Sequence, residues 1–383
     1  MSVALGIAVG MVASVTTAGV ASAASDTGAV TAIFVQPIHD AQVVRGDDGK
    51  DHIEYDLLVV NVFDSPVTLT SVTALGAGGK QLTQLGGAEL DAATETLYDK
   101  TPSATIPDSA AVAVNVDVAV APGTVPKQIG NQVAYTLAPD TPSAPLIGSL
   151  EIDGPTVKID RTKATVIQPP MHGDGWLATT ACCAPNLHRS LRLAVNGTQI
   201  ETGEAFAVDW GLVKDNSLYA GDGTQNEDHY AYGADVLAVA DGKVVFIQEG
   251  KPEETPYQAQ PATDITDFGG NKVILEIAPH VYAAYAHLAT GTVAVEVGDT
   301  VKAGDVVAKL GNTGPSQGAH LHFGLLDKPD LATGRSLPFV IDRYTLAATV
   351  DFATSEANTL QITPESKKVR DAYPLYGGIQ NFR

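Results

Sequence analysis

The residues of this chain best suited to chemistry are His320-Leu321-His322, set in Gly-Ala-His-Leu-His-Phe, and His287, set in Tyr285-Ala286-His287-Leu288. In an extended strand, side chains two apart project to the same face, so His320 and His322 share one space. Imidazole is the usual nitrogen ligand of zinc, and a catalytic zinc takes three protein ligands and keeps one position open for water. Two segments offer further donors. One is Asn186-Leu187-His188-Arg189-Ser190-Leu191; the other, beyond a turn at Asn196-Gly197, is Ala205-Phe206-Ala207-Val208-Asp209-Trp210. A carboxylate set among Phe206, Val208 and Trp210 is costly to bury alone, so Asp209 needs a cation, either a metal ion or an arginine such as Arg189. His188 reads as a ligand or as a hydrogen-bonded structural imidazole. The chain has no His-Glu-x-x-His helix, so a glutamate base of that type is not on offer.

These residues need elements to hold them. The chain has 383 residues, 37 Gly and 22 Pro, and few long periodic runs, which predicts two domains, mostly β. From 28 to 165 there are short β-type runs separated by turns, among them Ala32 to Val35, Tyr55 to Val60, Val67 to Thr70 and Ala111 to Val116, spaced as in an antiparallel sandwich. This accessory domain, 24–165, reads as a binding or positioning module, and its two histidines, His39 and His52, read as exposed loop residues. Val166-Ile167-Gln168-Pro169-Pro170 marks a boundary, because two prolines fix an extended segment. Beyond it lie both tryptophans and seven of the nine histidines. Val236 to Val245 reads as a strand, an Asp-Gly turn and a second strand, and Val293 to Gly311 as another hairpin-like unit. The segment 166–351 is the second domain, and 352–383 reads as a C-terminal tail.

The formal net charge is −21 and no Lys/Arg cluster occurs, which argues against nucleic acid and anionic lipid as partners. Residues 2–24 carry no charge, are rich in Ala, Val and Gly, and contain Ala21-Ser22-Ala23, the small-residue pattern of a cleavage site. Residues 1–23 therefore read as a signal peptide. The chain is expected to be secreted, periplasmic or in the cell envelope, with membrane contact only if that segment stays uncleaved. Cys182 and Cys183, the only cysteines, could pair with each other, cross-link two chains or bind metal; a loop pair without a catalytic part is the favoured reading.

The order of motifs resembles the lysostaphin-type zinc metallopeptidases over roughly residues 170–345. It runs from an upstream His and Asp through Tyr232-Gly233, Gly269-Gly270-Asn271, Tyr285-Ala286-His287-Leu288, Gly298-Asp299 and Gly311-Asn312-Thr313-Gly314 to His320-Leu321-His322-Phe323. The resemblance implies an antiparallel β metallopeptidase domain following the sandwich. It implies zinc held by an upstream His, Asp209 and His322, with His320 and His287 acting on the water and the developing oxyanion. The family places the upstream His four residues before the Asp, where this chain has Ala205. His188 takes that place if residues 188 and 209 lie on adjacent strands of a hairpin turning near Asn196-Gly197; the alternative ligand is His229, in Asn226-Glu227-Asp228-His229-Tyr230. The implied activity is an exported zinc endopeptidase cutting peptide bonds, foremost those of bacterial peptidoglycan, with another peptide substrate left open. Two other readings stand beside it. One is a non-catalytic scaffold or activator of cell-wall hydrolases; the other is a carrier domain, which would need an exposed lysine at a hairpin tip, whereas Lys309 lies in an apolar run.

Overall fold

Alternation of apolar and polar residues along Asp51–Asn61 (β1) sends Ile53, Tyr55, Leu57 and Val59 into a core between two sheets. The computed structural model describes residues 28–97, 100–356 and 359–383; the segment read as a signal peptide lies outside them. β1 pairs with Ile33–Pro37, with Gln42–Arg45 and with Ala111–Val120 (β2), which in turn pairs with Thr94–Thr96. The facing sheet is ordered Glu151–Lys158, Gln128–Leu137, Val67–Leu75 and Gln81–Gly86, with Thr105–Ile106 beside Val67–Leu75. The expected β-sandwich is therefore present, and each of the four strand runs read from sequence lies at least largely within a strand.

The second face of β1 is polar, yet every residue from Asp51 to Leu57 is buried. Glu54 stands opposite Asp117, and Asp56 opposite Asn115, on β2. This acidic face is covered by the C-terminal half of the chain. His52, read as an exposed loop residue, is in fact 6% exposed within β1, and its Nδ1 lies 2.9 Å from Asp117 Oδ2. A period-two pattern reports that alternate residues face different surroundings; it does not report that one side is wet.

The C-terminal half is built on one large sheet. Its order is Thr165–Ile167, Phe339–Glu356 (β8), Gly378–Phe382 (β9), Gly173–Thr180 (β3), Val208–Leu212 (β4), Leu321–Leu326 (β7), Val281–Ala286 (β6), Lys272–Ala278 (β5), Gly242–Gln248 and Thr300–Val301. Only Thr165–Ile167 with β8 is a parallel neighbour pair. Trp210, Leu321, Phe323 and Tyr285 fill the core on one face. Between β3 and β4 comes a four-residue helix, Leu187–Ser190 (α1), and then a hairpin, Leu193–Val195 with Gln199–Glu201, turning at Asn196 and Gly197 with φ of 52° and 68°. Positive φ at both central residues is what a tight hairpin requires of Asn-Gly.

Several expectations need correction. Asp235–Leu237 pairs with Val306–Lys309, whereas Gly242–Gln248 pairs with β5 and Thr300–Val301. The Asp241-Gly242 turn thus passes the chain between two sheets and joins no hairpin. The segment read as a tail contains Thr359–Ala372, paired to β8, and β9, which lies between β8 and β3. Gln380 Oε1 accepts from Trp210 Nε1 at 3.0 Å, tying β9 to β4. Cys182 and Cys183 are joined to each other by a buried disulfide.

Candidate metal centre

β4 and β7 are adjacent, and their register sets Asp209 directly opposite His322. Residues opposite one another across antiparallel strands share a face, so the pair that chemistry requires is produced by alignment alone. Asp209 Oδ1 lies 3.0 Å from His322 Nδ1 and 3.5 Å from His320 Nε2, while Oδ2 lies 3.0 Å from His188 Nε2. His188 stands on α1, and Asp209 on β4 is flanked by β3 and β7. The two residues are not on adjacent strands of one hairpin as expected; the Asn196-Gly197 hairpin is an excursion between them. Arg189 does not serve Asp209, because it pairs with Glu54 and Asp56 instead.

The imidazoles are oriented by backbone carbonyls. His188 Nδ1 donates to Ala207 O at 3.2 Å, His287 Nδ1 to Thr313 O at 2.8 Å and His320 Nδ1 to Gly318 O at 2.9 Å. A carbonyl only accepts, so Nδ1 carries the proton in each ring and Nε2 is left for the site. His287 follows β6 with a φ of 60°. Its ring centroid is 4.7 Å from that of His320 and 5.8 Å from that of His322.

One participant was not read from sequence. Glu204, 6% exposed, holds its carboxylate oxygens 3.9 Å from His188 Nε2 and 3.9 Å from His322 Nε2. His322 Nε2 is buried without a hydrogen-bond partner among the described residues. His188, Glu204 and His322 bring ligand atoms within 4.8 Å of one another. The only sequence signal was an acidic residue five positions before Asp209, and a turn at 203–206 rather than strand periodicity delivers it.

Electrostatics agree with a cation site. Burial alone would raise the Asp209 carboxyl, but the charges of His188 and His320 beside it hold it well below the usual range. Burial would lower His188, yet Asp209 and then Glu204 raise it to about 9. His287 is driven well below the ordinary histidine value by burial first and then by the His320 and His322 charges. Two buried imidazoles, the buried Glu204 and the partly buried Asp209, with one ring nitrogen lacking a hydrogen bond, form a donor set that suits zinc.

The cluster forms the floor of a groove of about 470 Å³, whose sides include Leu191, Leu218, Tyr219, Tyr257, Phe268 and Leu331. His229 belongs to this wall. Its Nε2 meets Gly223 O at 3.1 Å, and its ring lies 5.4 Å from Tyr219 and 6.2 Å from Tyr257. No hydrogen bond or ion pair joins it to Asp209 or Glu204 among the described residues.

An antiparallel sheet thus aligns imidazoles and carboxylates under an open groove. Residues 227–332 match the model of Peptidase family M23, and that part of the chain belongs to this family of peptidases. The matched span holds His287, His320 and His322 and leaves out His188, Glu204 and Asp209. Among solved structures, the chain is similar to the catalytic domain of lysostaphin from Staphylococcus simulans, at 22% identity over 43% of this chain and 85% of that one, with a TM-score of 0.22. It is also similar to a zinc-containing peptidase from Vibrio cholerae, at 17% identity over 79% of this chain and 86% of that one, TM-score 0.22. A third is a peptidase M23 from Pseudomonas aeruginosa, at 12% identity over 71% and 89%, TM-score 0.24. No curated protein matches the chain by sequence.

Proposed function

We propose that this chain is an exported zinc endopeptidase that hydrolyses peptide bonds of bacterial cell-wall peptidoglycan. The observation that carries the reading is the donor set itself: His188, Asp209 and His322, with Glu204 beside them, under a groove into which His287 and His320 also turn. In this reading His188, Asp209 and His322 hold the metal. Zinc bound there would lower the pKa of coordinated water to about 7 and polarise a substrate carbonyl.

The remaining work falls to side chains. His287, kept neutral by burial and by its charged neighbours, offers Nε2 as the proton acceptor because Thr313 O fixes the proton on Nδ1. His320, whose protonated form Asp209 favours, donates from Nε2 to the oxygen on which negative charge develops. Leu191, Leu218, Phe268 and Leu331 exclude water from the groove sides, which strengthens both interactions. The cell-wall substrate rests on the family's character, and export on the uncharged segment 2–24 with Ala21-Ser22-Ala23.

The test is digestion of purified peptidoglycan by the zinc-supplied protein, with new amino termini counted. The reading predicts termini released by the parent and none by His320→Ala. Cleavage of an unrelated polypeptide with intact peptidoglycan would transfer the activity to another substrate; zinc bound without hydrolysis of either would favour the scaffold reading.

A further inference from the structure

Within the C-terminal half, His188 is held by Thr202 Oγ1, which donates to its carbonyl at 3.0 Å, and by Ala207 O, which accepts from its ring at 3.2 Å; the charged side chains that follow it in sequence are held elsewhere. α1 has four residues, and its closing hydrogen bond, Leu191 N to His188 O, is 3.4 Å long. A helix this short has no stability of its own. Asn186 caps it, with its side chain accepting from Arg189 N and its Nδ2 donating to Ala181 O and Ala184 O at 2.9 Å each. The ion pairs of Arg189 and Arg192, in contrast, all reach the sandwich. Arg189, 2% exposed, places Nη2 2.5 Å from Asp56 Oδ1 and 3.1 Å from Tyr55 O, and Nη1 against Glu54. Ser190 Oγ donates to Glu95 Oε1 at 2.9 Å. Arg192 reaches Asp56 Oδ2 at 3.1 Å and pairs with Asn115. Burial pushes the Asp56 carboxyl up, but Arg192 and Arg189 hold it well below the ordinary range.

We infer that the sandwich is a positioning device for the metal centre: its acidic face, Glu54, Asp56 and Glu95, clamps Arg189, Ser190 and Arg192 and so aims His188 Nε2 at Asp209. The inference rests on His188 being a ligand, as proposed above. It assigns a task to the acidic row on β1, which no chemistry of the groove uses, and it accounts for how a ligand on an isolated turn can replace one that Ala205 does not provide. Arg189 is a positioning residue and touches neither metal nor substrate. Its two-toothed pairing is geometric, which lysine reproduces only in charge.

The experiment measures zinc affinity by competition with a chelator, and the visible absorption of the cobalt-substituted protein, on the whole chain. Arg189→Met is expected to bind zinc on the order of 10–100-fold more weakly, the size of effect seen when a ligand loses its orienting partner, with an altered cobalt spectrum. Arg189→Lys is expected to fall between it and the parent. Tyr344→Phe removes a different contact between sandwich and large sheet, the 3.1 Å hydrogen bond to Asp47, and is expected to keep parental affinity. Folded Arg189→Met with parental affinity and spectrum overturns the inference, as does an equal loss in Tyr344→Phe, which would make docking in general responsible. Should Arg189→Met not fold, Arg189→Lys decides: weakened binding supports the clamp and parental binding overturns it. His188→Ala separates the two claims, because undiminished zinc binding there removes the ligand assignment itself, whereas lost binding there beside parental binding in Arg189→Met removes only the clamp.

Discussion

Among single residues, the proposed zinc centre rests on histidines whose ring nitrogens face Asp209 or the groove. His322→Ala is predicted to lose zinc, because in the proposed centre it removes a ligand and takes from Asp209 Oδ1 its nearest partner. His320→Ala is predicted to retain zinc and lose turnover; elemental analysis and peptide hydrolysis read the two properties separately. Glu204→Gln keeps the volume and deletes a charge 3.9 Å from two imidazole nitrogens. Chelator competition should show zinc binding weakened on the order of tenfold or more, and unchanged affinity would make Glu204 a bystander. His320, His322, His287 and Asp209 were legible because strand periodicity and motif order suffice to place them. Glu204 was not, since no periodic element carries it. His188 lies beside Asp209, as expected, but on a capped turn and not on a strand of the expected hairpin.

Elements bring these residues together through contacts distant in sequence. Gly270, with φ +59°, sits so close to the loop that leads to His320 that an added Cβ would meet Thr313 O at 2.2 Å. That same carbonyl orients His287. Gly270→Ala is therefore predicted to cost about 3 kcal/mol or more, combining left-handed strain with displacement of Thr313. Denaturant unfolding checks the stability loss, and a parental midpoint would refute the account of this turn. The same non-locality explains what the sequence obscured. Strand identity along Val236 to Val245 was readable, whereas the partners of its two strands, Val306–Lys309 and β5, lie far along the chain. Turn chemistry at Asp241-Gly242 says that the chain bends and nothing about which sheet it enters next.

For the whole molecule, the sandwich and the large sheet are joined by buried polar contacts as well as apolar ones. Asp47, in a loop of the sandwich, accepts from Tyr344 Oη on β8, and burial raises its carboxyl to about 6. A carboxyl raised in the folded state binds protons more tightly there than in the unfolded chain, so stability falls as pH rises from about 4 to about 6 and then levels off. The stability lost across that range is roughly 3 kcal/mol. Asp47→Asn should be more stable than the parent at pH 7.5 and about equal near pH 4, as measured by unfolding at both values; a variant less stable than the parent at pH 7.5 would reverse the sign. The two-part, mainly β architecture was readable from turn spacing and from the concentration of histidines beyond residue 170. The buried acidic face of β1 was not, because its alternation looks the same whether water or another sheet covers it.

The central claim is that His188, Asp209 and His322 hold one zinc ion, and metal content by elemental analysis of the parent, His188→Ala and His229→Ala, each purified after zinc is supplied, tests it most directly. About one zinc per chain is expected in the parent and in His229→Ala, and none in His188→Ala. No zinc in the parent, or loss in His229→Ala with retention in His188→Ala, would contradict it.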